Sequence, residues 1–373
     1  MKYDIFLNTK PLYYKEIDHE RVYNAYEILK PYIKQVKNIH IVGTNGKGST
    51  GRILAHLASA SLSAGHYSSP HIVKFNERFW FNGKDVSDED LEKAHQKLFN
   101  ILGEKISKEL SYFEYSTLLA FVLFENCDLM VLEAGLGGEF DATNVYDKAL
   151  SIITPIGIDH QDFLGESIED IASTKIRSIQ KQMLLAPQIY DEVEEIAKSI
   201  CEEKNAKLFK CKDKKLCWET HPTYLLENAK VAMSALDILG ITYDEADLQS
   251  LKLFGRFYAL TPNIRIDVGH NPLASQAIFE ALDAPVVLIY NSLDDKDYEE
   301  VLRILKPKIK RVEILAIDSQ RATTKEEIEK ALKKLEISYS HFEGKIDKEE
   351  NYLVFGSFYV VEGFLKSFER IVL

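Results

Sequence analysis

Short apolar runs alternate with helical patterns along the first two thirds of the chain. Apolar residues follow one another at 38–42, 128–133 and 150–154, which is typical of strands buried on both faces of a parallel sheet. Helices are predicted from residue 49 to near Gly65 and over residues 112–126. Strands that alternate with helices predict an α/β fold built on a doubly wound, mostly parallel sheet.

The last third of the chain repeats this alternation on a smaller scale. Strands are predicted at residues 264–267, 286–290, 311–316 and 352–355. Residues 250–263 form the candidate linker, and residues 1–37 are predicted to be mainly helical. A chain of 373 residues also exceeds what one hydrophobic core usually supports. We therefore expect two domains, residues 1–257 and residues 258–373, the second being a smaller Rossmann-like α/β domain.

Composition and charge narrow the possible classes of protein. The chain has 46% apolar and 28% charged residues, no apolar run long enough to cross a bilayer, and no N-terminal apolar region typical of a secretory signal. The net charge of −12 argues against nucleic acid as a partner. Positive charge for an anionic ligand must then be local, for example at Lys47, Arg78, Arg256 or Arg321. We expect a cytoplasmic monomer with neither nucleic acid nor membrane as a partner.

A glycine-rich turn follows the first predicted strand. The sequence Gly43-Thr-Asn-Gly-Lys-Gly-Ser49 lies between that strand and a helical pattern. Backbone N–H groups and the helix dipole at such a turn bind anions, Lys47 adds a positive charge for a phosphate, and a hydroxyl can serve Mg²⁺. The extra Gly48 departs from the common Walker spacing, and a glycine-rich turn with a surface lysine is the alternative. We predict a P-loop-type nucleotide site with contacts from Thr44, Asn45, Gly46, Lys47, Gly48 and Ser49.

Polar side chains also follow other predicted strands. Ser69 lies in the loop after Tyr67, Glu133 ends the strand at 128–133, and His160 follows the strand at 150–154. In doubly wound sheets, ligands bind beyond the carboxyl ends of the strands, so these residues are candidates for one site. The alternatives are a strand-end salt bridge for Glu133 and a satisfied loop histidine for His160.

Short motifs occur in a fixed order over nearly the whole chain. They are Gly43–Ser49, Tyr67–His71, Asn76–Arg78, Tyr112–Glu114, Leu132–Gly138, Asp141–Asn144, Ile158–His160, Lys175, Gly255–Phe257, Asp267–Pro272, Asp295–Asp297 and Phe355–Ser357. This set resembles the folylpolyglutamate synthase/dihydrofolate synthase family, within the Mur-type ATP-dependent amide ligases. The Ser-Pro-His motif and the Leu-Gly-Gly loop distinguish this branch from the cell-wall ligases.

The resemblance implies an ATP-dependent ligase of folate biosynthesis and polyglutamylation. ATP would phosphorylate a carboxylate of 7,8-dihydropteroate, of a (tetrahydro)folate, or of both, to an acyl phosphate. The amine of L-glutamate would then displace phosphate and form an amide. A Mur-type amide ligase that acts on another carboxylic acid is the alternative in the same class. A nucleotide-binding module without ligase activity is the alternative from another class, and the motif around Asp267 argues against it.

The resemblance also implies two magnesium sites. Ser69, Glu133 and His160 match magnesium positions of the family, and Lys175 matches a lysine that is carbamylated and helps to hold a second ion. Lys47, His160 and Lys175 are therefore the predicted catalytic residues. An exposed helix lysine is the alternative for Lys175, whose neighbours depart from the family pattern.

For the substrates, the resemblance implies two further groups of residues. The predicted ATP contacts outside the turn are Asn228, Arg256, Asp267 and His270. The predicted contacts of the pterin acceptor are Phe113, Glu114, Phe140, Asp141 and Ala142. Aromatic rings can stack on a pterin, and a carboxylate can accept from its amino groups. A place in the hydrophobic core is the alternative for Phe113.

Overall fold

A computed structural model describes residues 2–11, 18–216, 218 and 221–372 of the chain. They form two compact units, Met1–Cys217 with Glu227–Leu251, and Trp218–Leu226 with Lys252–Leu373. The second unit thus comprises Lys252–Leu373 together with Trp218–Leu226, and the functional domains, residues 1–257 and 258–373, stay a prediction. Residues 12–17, part of the predicted helical region 1–37, lie outside the described residues.

The α-helices of the described residues are numbered in chain order. They are α1 Tyr3–Asn8, α2 His19–Leu29, α3 Lys47–Ala58, α4 Asp88–Glu109, α5 Tyr112–Leu123, α6 Gln161–Leu164, α7 Ile168–Ile176, α8 Asp191–Glu203, α9 Thr223–Leu239, α10 Pro272–Ala281, α11 Tyr298–Leu305, α12 Lys325–Lys334 and α13 Phe358–Val372. Among the described residues, none of them is both long and apolar enough to cross a membrane.

The strands are numbered in the same way. They are β1 Lys37–Val42, β2 Ala64–Tyr67, β3 Phe79–Phe81, β4 Lys84–Asp85, β5 Leu129–Glu133, β6 Leu150–Ile153, β7 Gln182–Leu185, β8 Lys207–Lys210, β9 Tyr258–Thr261, β10 Ile264–Ile266, β11 Val286–Tyr290, β12 Ile309–Ile314, β13 Tyr339–His341 and β14 Tyr352–Phe355. The predicted strands at 38–42, 128–133, 150–154 and in the last third are confirmed within two residues at each end.

The first unit is built on a sheet with the strand order β4-β3-β2-β5-β1-β6-β7-β8. The strands from β2 to β8 in this order run parallel, whereas β3 and β4 form an antiparallel edge. Strand β1 is central and pairs with β5 on one side and β6 on the other. The carboxyl ends of β2, β5, β1 and β6 therefore meet at one edge of the sheet, where a doubly wound fold binds its ligands.

Two hydrophobic clusters stabilise the first unit. One joins α2, α4 and α5 to β5, with Tyr26, Leu98 and Tyr115 buried in it. The other joins α7 and α8 to β6 and β7, with Ile171 and Val193 buried in it. These clusters hold the helices against the sheet, so the loops at the strand ends start from a rigid base.

The second unit has its own sheet, with the order β13-β12-β11-β14-β10-β9. Its strands are parallel except for β9, which pairs antiparallel with β10. A separate cluster that includes Leu288, Val312, Ile328 and Leu353 forms its core. Both units are thus α/β with mostly parallel sheets, as the sequence predicts.

Two sequence predictions of local structure are wrong. Helix α3 ends at Ala58 rather than near Gly65, which lies in β2. The Ser59 hydroxyl donates to His56 O at 2.7 Å, and such side-chain bonds to the backbone favour the end of a helix. Strand β9 occupies part of the predicted linker; it is a short edge strand whose residues are half-buried or exposed.

Candidate active site

The turn after β1 is joined to the loop after β6 by close backbone contacts. A Cβ atom at Gly43 would lie 2.0 Å from Thr154 Oγ1, so this approach requires glycine. The backbone N–H groups of Thr44 and Asn45 donate to Pro155 O at 2.9 and 3.2 Å. The amides of these two predicted nucleotide contacts therefore join two loops at the ligand-binding edge of the sheet.

Helix α3 begins at the predicted anion cradle. Gly46 is its N-cap, with φ of 84°, a left-handed conformation that favours glycine. The N–H groups of the first turn, Lys47–Ser49, have no acceptor within their own helix, so they suit a phosphate at the positive end of the dipole. Lys47 Nζ donates to Gly43 O and Thr44 O, both at 3.1 Å. A phosphate oxygen would be a stronger acceptor for this ammonium than either carbonyl.

Asn228 of α9 lies beside the same turn. It is buried, and a Cβ atom at Gly46 would lie 2.7 Å from Asn228 Oδ1. Gly46 therefore provides both the turn conformation and the room for the amide. The structure brings this predicted ATP contact to the start of α3 although the two residues are far apart in sequence.

Glu133 and Ser69 meet at neighbouring strand ends. Glu133 is the last residue of β5 and is buried, and its Oε2 accepts a hydrogen bond from the Ser69 N–H at 3.2 Å. Ser69 follows β2, the neighbour of β5 in the sheet. Two of the predicted metal ligands are thus adjacent.

His160 lies in a left-handed conformation at the start of α6. Its φ is 53°, and its N–H donates to Asp159 Oδ1 at 2.9 Å. The His160 side chain is 33% exposed and the Asp159 side chain 9% exposed. Sequence reasoning did not assign a role to Asp159, although the motif Ile158-Asp-His160 contains it.

Lys175 of α7 is buried and reaches the turn after β1. Its Nζ donates to Gly43 O at 3.0 Å, and Lys47 Nζ contacts the same oxygen. Burial, and then the Lys47 ammonium, lower the pKa of Lys175 to about 7, while Asp159 and Asp141 act in the opposite direction. The alternative of an exposed helix lysine is wrong. A substantial fraction of neutral amine at neutral pH follows from this environment.

The glycine-rich loop, residues 134–144, packs on α7. A Cβ atom at Gly138 would lie 2.6 Å from Lys175 O, and the Glu139 N–H donates to Thr174 O at 2.9 Å. The loop that follows Glu133 therefore fixes the backbone of Lys175.

A buried chain of hydrogen bonds joins β1 to the glycine-rich loop. Asp141 Oδ2 accepts from the N–H groups of Gly135 and Leu136, both at 2.9 Å, and Oδ1 accepts from Thr143 Oγ1 at 2.5 Å. Thr143 Oγ1 also lies 2.7 Å from His40 Nε2. Because the hydroxyl proton goes to Asp141, His40 Nε2 is the donor in this pair. Burial lowers the pKa of His40, so its ring is neutral.

Three of the predicted acceptor contacts lie around the glycine-rich loop. The Phe113 ring packs against Gly135, where a Cβ atom would lie 2.6 Å from Cζ. Phe140 is 56% exposed, whereas Ala142 is buried. Phe113 is half-buried, so it is neither fully core nor fully accessible.

The other two predicted acceptor contacts, both carboxylates, are engaged within the protein. Glu114 forms two hydrogen bonds with the Arg21 guanidinium, at 2.9 and 3.0 Å, and accepts from the Ser111 N–H at the start of α5. Asp141 is held by its own loop. A pterin contact for either carboxylate stays a prediction. In the structure, Glu114 binds Arg21 and the start of α5, and Asp141 binds the backbone of the glycine-rich loop.

In the second unit, Asp267 organises the residues around it. Its carboxylate is buried and accepts from Tyr224 OH at 3.0 Å and from the N–H groups of Phe257 and Gly269, both at 2.7 Å. Burial raises the pKa of Asp267, and the nearby Arg256 guanidinium acts in the opposite direction.

The other predicted nucleotide contacts of this unit are placed by local interactions. The Arg256 guanidinium lies over the Phe358 ring, 5.4 Å from its centroid. His270 Nδ1 lies 3.2 Å from Val268 O.

The donor set at the strand ends fits magnesium. Glu133 offers a buried carboxylate and Ser69 a hydroxyl, which are the hard oxygen ligands that Mg²⁺ prefers. Among the described residues, no group of three or more His, Cys, Asp or Glu side chains is placed to hold a metal ion alone. Mg²⁺ is usually bound by one or two carboxylates together with substrate phosphates and water, so such a group is not required.

Comparison with known proteins decides the family. No family model matches the chain. The chain is 32% identical to the dihydrofolate synthase/folylpolyglutamate synthase of Haemophilus influenzae. The alignment covers 90% of this chain and 88% of the relative. The chain belongs to the dihydrofolate synthase/folylpolyglutamate synthase family. The resemblance seen in the sequence motifs is thereby confirmed.

Solved structures agree with this assignment. The chain is similar to the crystal structure of Helicobacter pylori folylpolyglutamate synthetase, with 41% identity, a TM-score of 0.78 and coverage of 98% of both chains. It is also similar to a bifunctional folylpolyglutamate synthase/dihydrofolate synthase with Mn, AMPPNP and L-glutamate bound, with 26% identity, a TM-score of 0.84 and coverage of 98% and 97%. The predicted fold class is confirmed, and the chain is an ATP-dependent ligase that joins a carboxylate to an amino acid.

Proposed function

We propose that this chain uses ATP to add L-glutamate to 7,8-dihydropteroate, to a (tetrahydro)folate, or to both. The observation that carries the proposal is the convergence of Lys47 Nζ and Lys175 Nζ on Gly43 O, at 3.1 and 3.0 Å. Two lysine amines that share one carbonyl oxygen repel each other when both are protonated, and an anion such as the triphosphate of ATP would stabilise their charged forms. The names of the relatives supply the acceptor and the amino acid.

In the first step, a carboxylate oxygen of the acceptor attacks the γ-phosphorus of ATP, and ADP leaves. Both reactants are anionic, so positioning and neutralisation of charge provide most of the rate enhancement. Lys47 and the first-turn N–H groups of α3 would hold the phosphates. In the second step, the glutamate amine attacks the acyl carbon, phosphate leaves, and the nitrogen loses a proton.

A divalent metal ion belongs to this site. The residues proposed to hold it are Ser69, Glu133 and His160. Lys175 is proposed to bind a second ion after its amine has been carbamylated. When bound, magnesium neutralises charge on the phosphate oxygens and polarises the γ-phosphoryl group.

Carbamylation of Lys175 is the second part of the proposal. The neutral amine attacks CO₂, the new N–C bond gives a carbamate, and one proton is released. The lowered pKa of Lys175, about 7, supplies the neutral amine that this reaction needs. The product is an anion beside the Lys47 ammonium, which removes the repulsion between the two lysines.

The remaining assignments follow the family resemblance. We propose Asn228, Arg256, Asp267 and His270 as ATP contacts, and Phe113 and Phe140 as surfaces for the pterin. We also propose residues 1–257 as the ATP-binding domain with the pterin site, residues 258–373 as the glutamate-ligase domain, and a cytoplasmic monomer as the active form.

An omission experiment tests the proposed reaction. The purified chain is given Mg²⁺, ATP, L-glutamate and either 7,8-dihydropteroate or tetrahydrofolate, and each component is left out in turn. We expect ADP and a glutamylated product only when all components are present, and the two acceptors show whether one or both activities occur. ADP formation that needs neither acceptor nor glutamate would contradict the ligase assignment for these substrates.

A further inference from the structure

Arg78 is a buried arginine immediately before β3. The proposed reaction gives it no role. It is 8% exposed, and its Nε donates to His71 Nδ1 at 2.9 Å. Its guanidinium lies over the Tyr112 ring, 5.2 Å from the centroid, and near the Phe75 ring, at 5.9 Å. These contacts hold the plane of the guanidinium and engage only one of its three nitrogens in a hydrogen bond.

Within the described part of the chain, no carboxylate pairs with this guanidinium. The nearest candidate in sequence, Glu77, accepts instead from the N–H groups of Ile72, Val73 and Lys74, at 2.7 to 2.9 Å. His71 is no counter-ion either, because its Nδ1 accepts the hydrogen bond from Arg78 Nε and therefore carries no proton. An arginine remains charged in proteins, and a buried charge without a counter-ion is costly. The arrangement is therefore incomplete without an anion.

Arg78 contrasts with Arg52, which has the same kinds of contact. Arg52 Nε lies 3.3 Å from His66 Nδ1, and its guanidinium lies 5.2 Å from the Trp80 ring centroid. Arg52, however, is also within 3.8 Å of the Asp85 carboxylate. Among the residues that the structure describes, an anion thus lies beside one stacked arginine and not beside the other.

The surroundings of Arg78 indicate which anion it binds. Its carbonyl accepts from the Ser68 N–H at 2.9 Å, so the residue sits beside Ser69, the proposed metal ligand. The Phe75 and Phe79 rings lie 5.1 Å apart, and Tyr67 lies between Phe79 and Phe113, at 5.4 and 6.1 Å. A carboxylate attached to an aromatic ring matches a guanidinium within an aromatic cluster, because the fork binds two oxygens and the rings pack against the aryl group. Glutamate, an aliphatic amino acid with a charged amine, matches it less well.

We propose that Arg78 binds the carboxylate of the pteroyl acceptor through its two terminal nitrogens. The inference rests on the proposed function, since 7,8-dihydropteroate, one of its proposed acceptors, carries an aryl carboxylate. His71, Phe75 and Tyr112 are positioning residues that hold the guanidinium plane. The acceptor carboxylate is then held near the proposed metal ligand as it meets the γ-phosphate.

Direct binding tests this proposal without turnover. Equilibrium dialysis measures the affinity of the full chain for 7,8-dihydropteroate in the presence of AMPPNP and Mg²⁺. Arg78→Gln loses two charge-assisted hydrogen bonds to the carboxylate, so we expect it to bind 7,8-dihydropteroate about 10-fold more weakly or worse. Arg78→Lys should have an intermediate affinity. In steady-state kinetics KM for the acceptor rises in parallel, whereas KM for ATP and for glutamate stays within about 2-fold.

Matched controls separate recognition of the substrate from support of the loop. Arg52→Gln removes a similar stacked guanidinium and is expected to leave acceptor affinity unchanged. For wild-type protein, a dihydropteroate analogue that lacks the carboxylate is expected to bind about 10-fold more weakly, and this difference is expected to disappear in Arg78→Gln.

Three results would overturn the proposal: equal wild-type affinity for the analogue and for dihydropteroate, an unchanged affinity in Arg78→Gln, or a rise in KM confined to glutamate. The analogue comparison uses wild-type protein, so it remains decisive if Arg78→Gln does not fold. If wild type binds dihydropteroate through its carboxylate but forms no glutamyl product, the proposed function fails and the role of Arg78 stands.

Discussion

At the scale of single residues, the central feature is a pair of lysines on one carbonyl oxygen. Lys47 lies in the first turn of α3 and Lys175 in α7, and both contact Gly43 O. Their mutual repulsion contributes to the lowered pKa of Lys175, after burial. Such a pair is poorly stabilised by neutral carbonyls alone and well stabilised by phosphate and carbamate anions, so the ligands complete the electrostatics of the site.

The role of Lys175 can be tested by its removal. We expect Lys175→Ala to abolish glutamate-dependent ADP formation, because the anion derived from Lys175 is lost, while the cooperative unfolding transition remains. Activity assays and urea unfolding of the same preparation check this. Near-normal turnover would remove Lys175 from the proposed catalytic residues.

The shifted pKa of Lys175 also makes stability depend on pH. Its pKa is lowered from 10.5 to about 7 by folding, so between these values the unfolded state binds the extra proton and stability rises with pH. In CO₂-free buffer, wild type should gain up to about 1.4 kcal/mol per pH unit relative to Lys175→Met between pH 7 and pH 10. Urea unfolding at several pH values measures this. A difference that does not change with pH would place Lys175 in a solvated environment.

Thr143 is expected to stabilise the fold through its hydroxyl. Thr143→Val keeps the shape of the side chain but removes one of the hydrogen bonds of Asp141 and the partner of His40 Nε2, at an expected cost of about 1–3 kcal/mol. Thr143→Ser keeps the hydroxyl and loses only a methyl group, which should cost about 1 kcal/mol or less. Urea unfolding of the two variants checks this, and a serine variant less stable than the valine variant would contradict it.

At the scale of elements, the functional residues are placed by the ends of the parallel strands. Ser69 and Glu133 follow from the sequence, because each sits where a predicted strand ends and neighbouring strands end at one edge. The engagement of Glu114 with Arg21, and of Asp141 with Thr143 and His40, does not follow, because tertiary folding brings Arg21 and His40 to these carboxylates. Edge strand β9 was missed because it has only four residues, none of them fully buried, and its pairing with β10 is set by the tertiary fold.

The turn before α3 provides a test at this scale. Gly46→Ala introduces left-handed strain and a Cβ atom 2.7 Å from Asn228 Oδ1, so we expect KM for ATP to rise about 10-fold or more. Gly83→Ala is the matched control: its φ is 99°, but a Cβ atom there meets nothing within 4 Å.

Backbone strain should cost each glycine variant a similar amount of stability, about 1–2 kcal/mol. Only Gly46→Ala should lose affinity for ATP, and equilibrium binding of AMPPNP measures that difference. An equal loss of nucleotide affinity in both variants would show that the effect comes from general destabilisation.

At the scale of the whole molecule, local placement of charge outweighs the net charge. The chain carries a net charge of −12, yet the substrates of the proposed reaction are anions. Lys47, Lys175 and Arg78 place cations in or beside buried positions at the strand ends, where their fields are screened less than at the surface. The family assignment, the α/β fold and this placement of charge agree with one reaction, the activation of a carboxylate by ATP.

Transfer of ¹⁸O from the acceptor tests that reaction most directly. The chain is given 7,8-dihydropteroate with ¹⁸O in its carboxylate, together with ATP, Mg²⁺ and L-glutamate, and the inorganic phosphate is analysed by mass spectrometry. An acyl phosphate intermediate requires one ¹⁸O atom in each phosphate released with a glutamyl product. Glutamyl product formed with unlabelled phosphate would contradict activation of the acceptor carboxylate by phosphorylation.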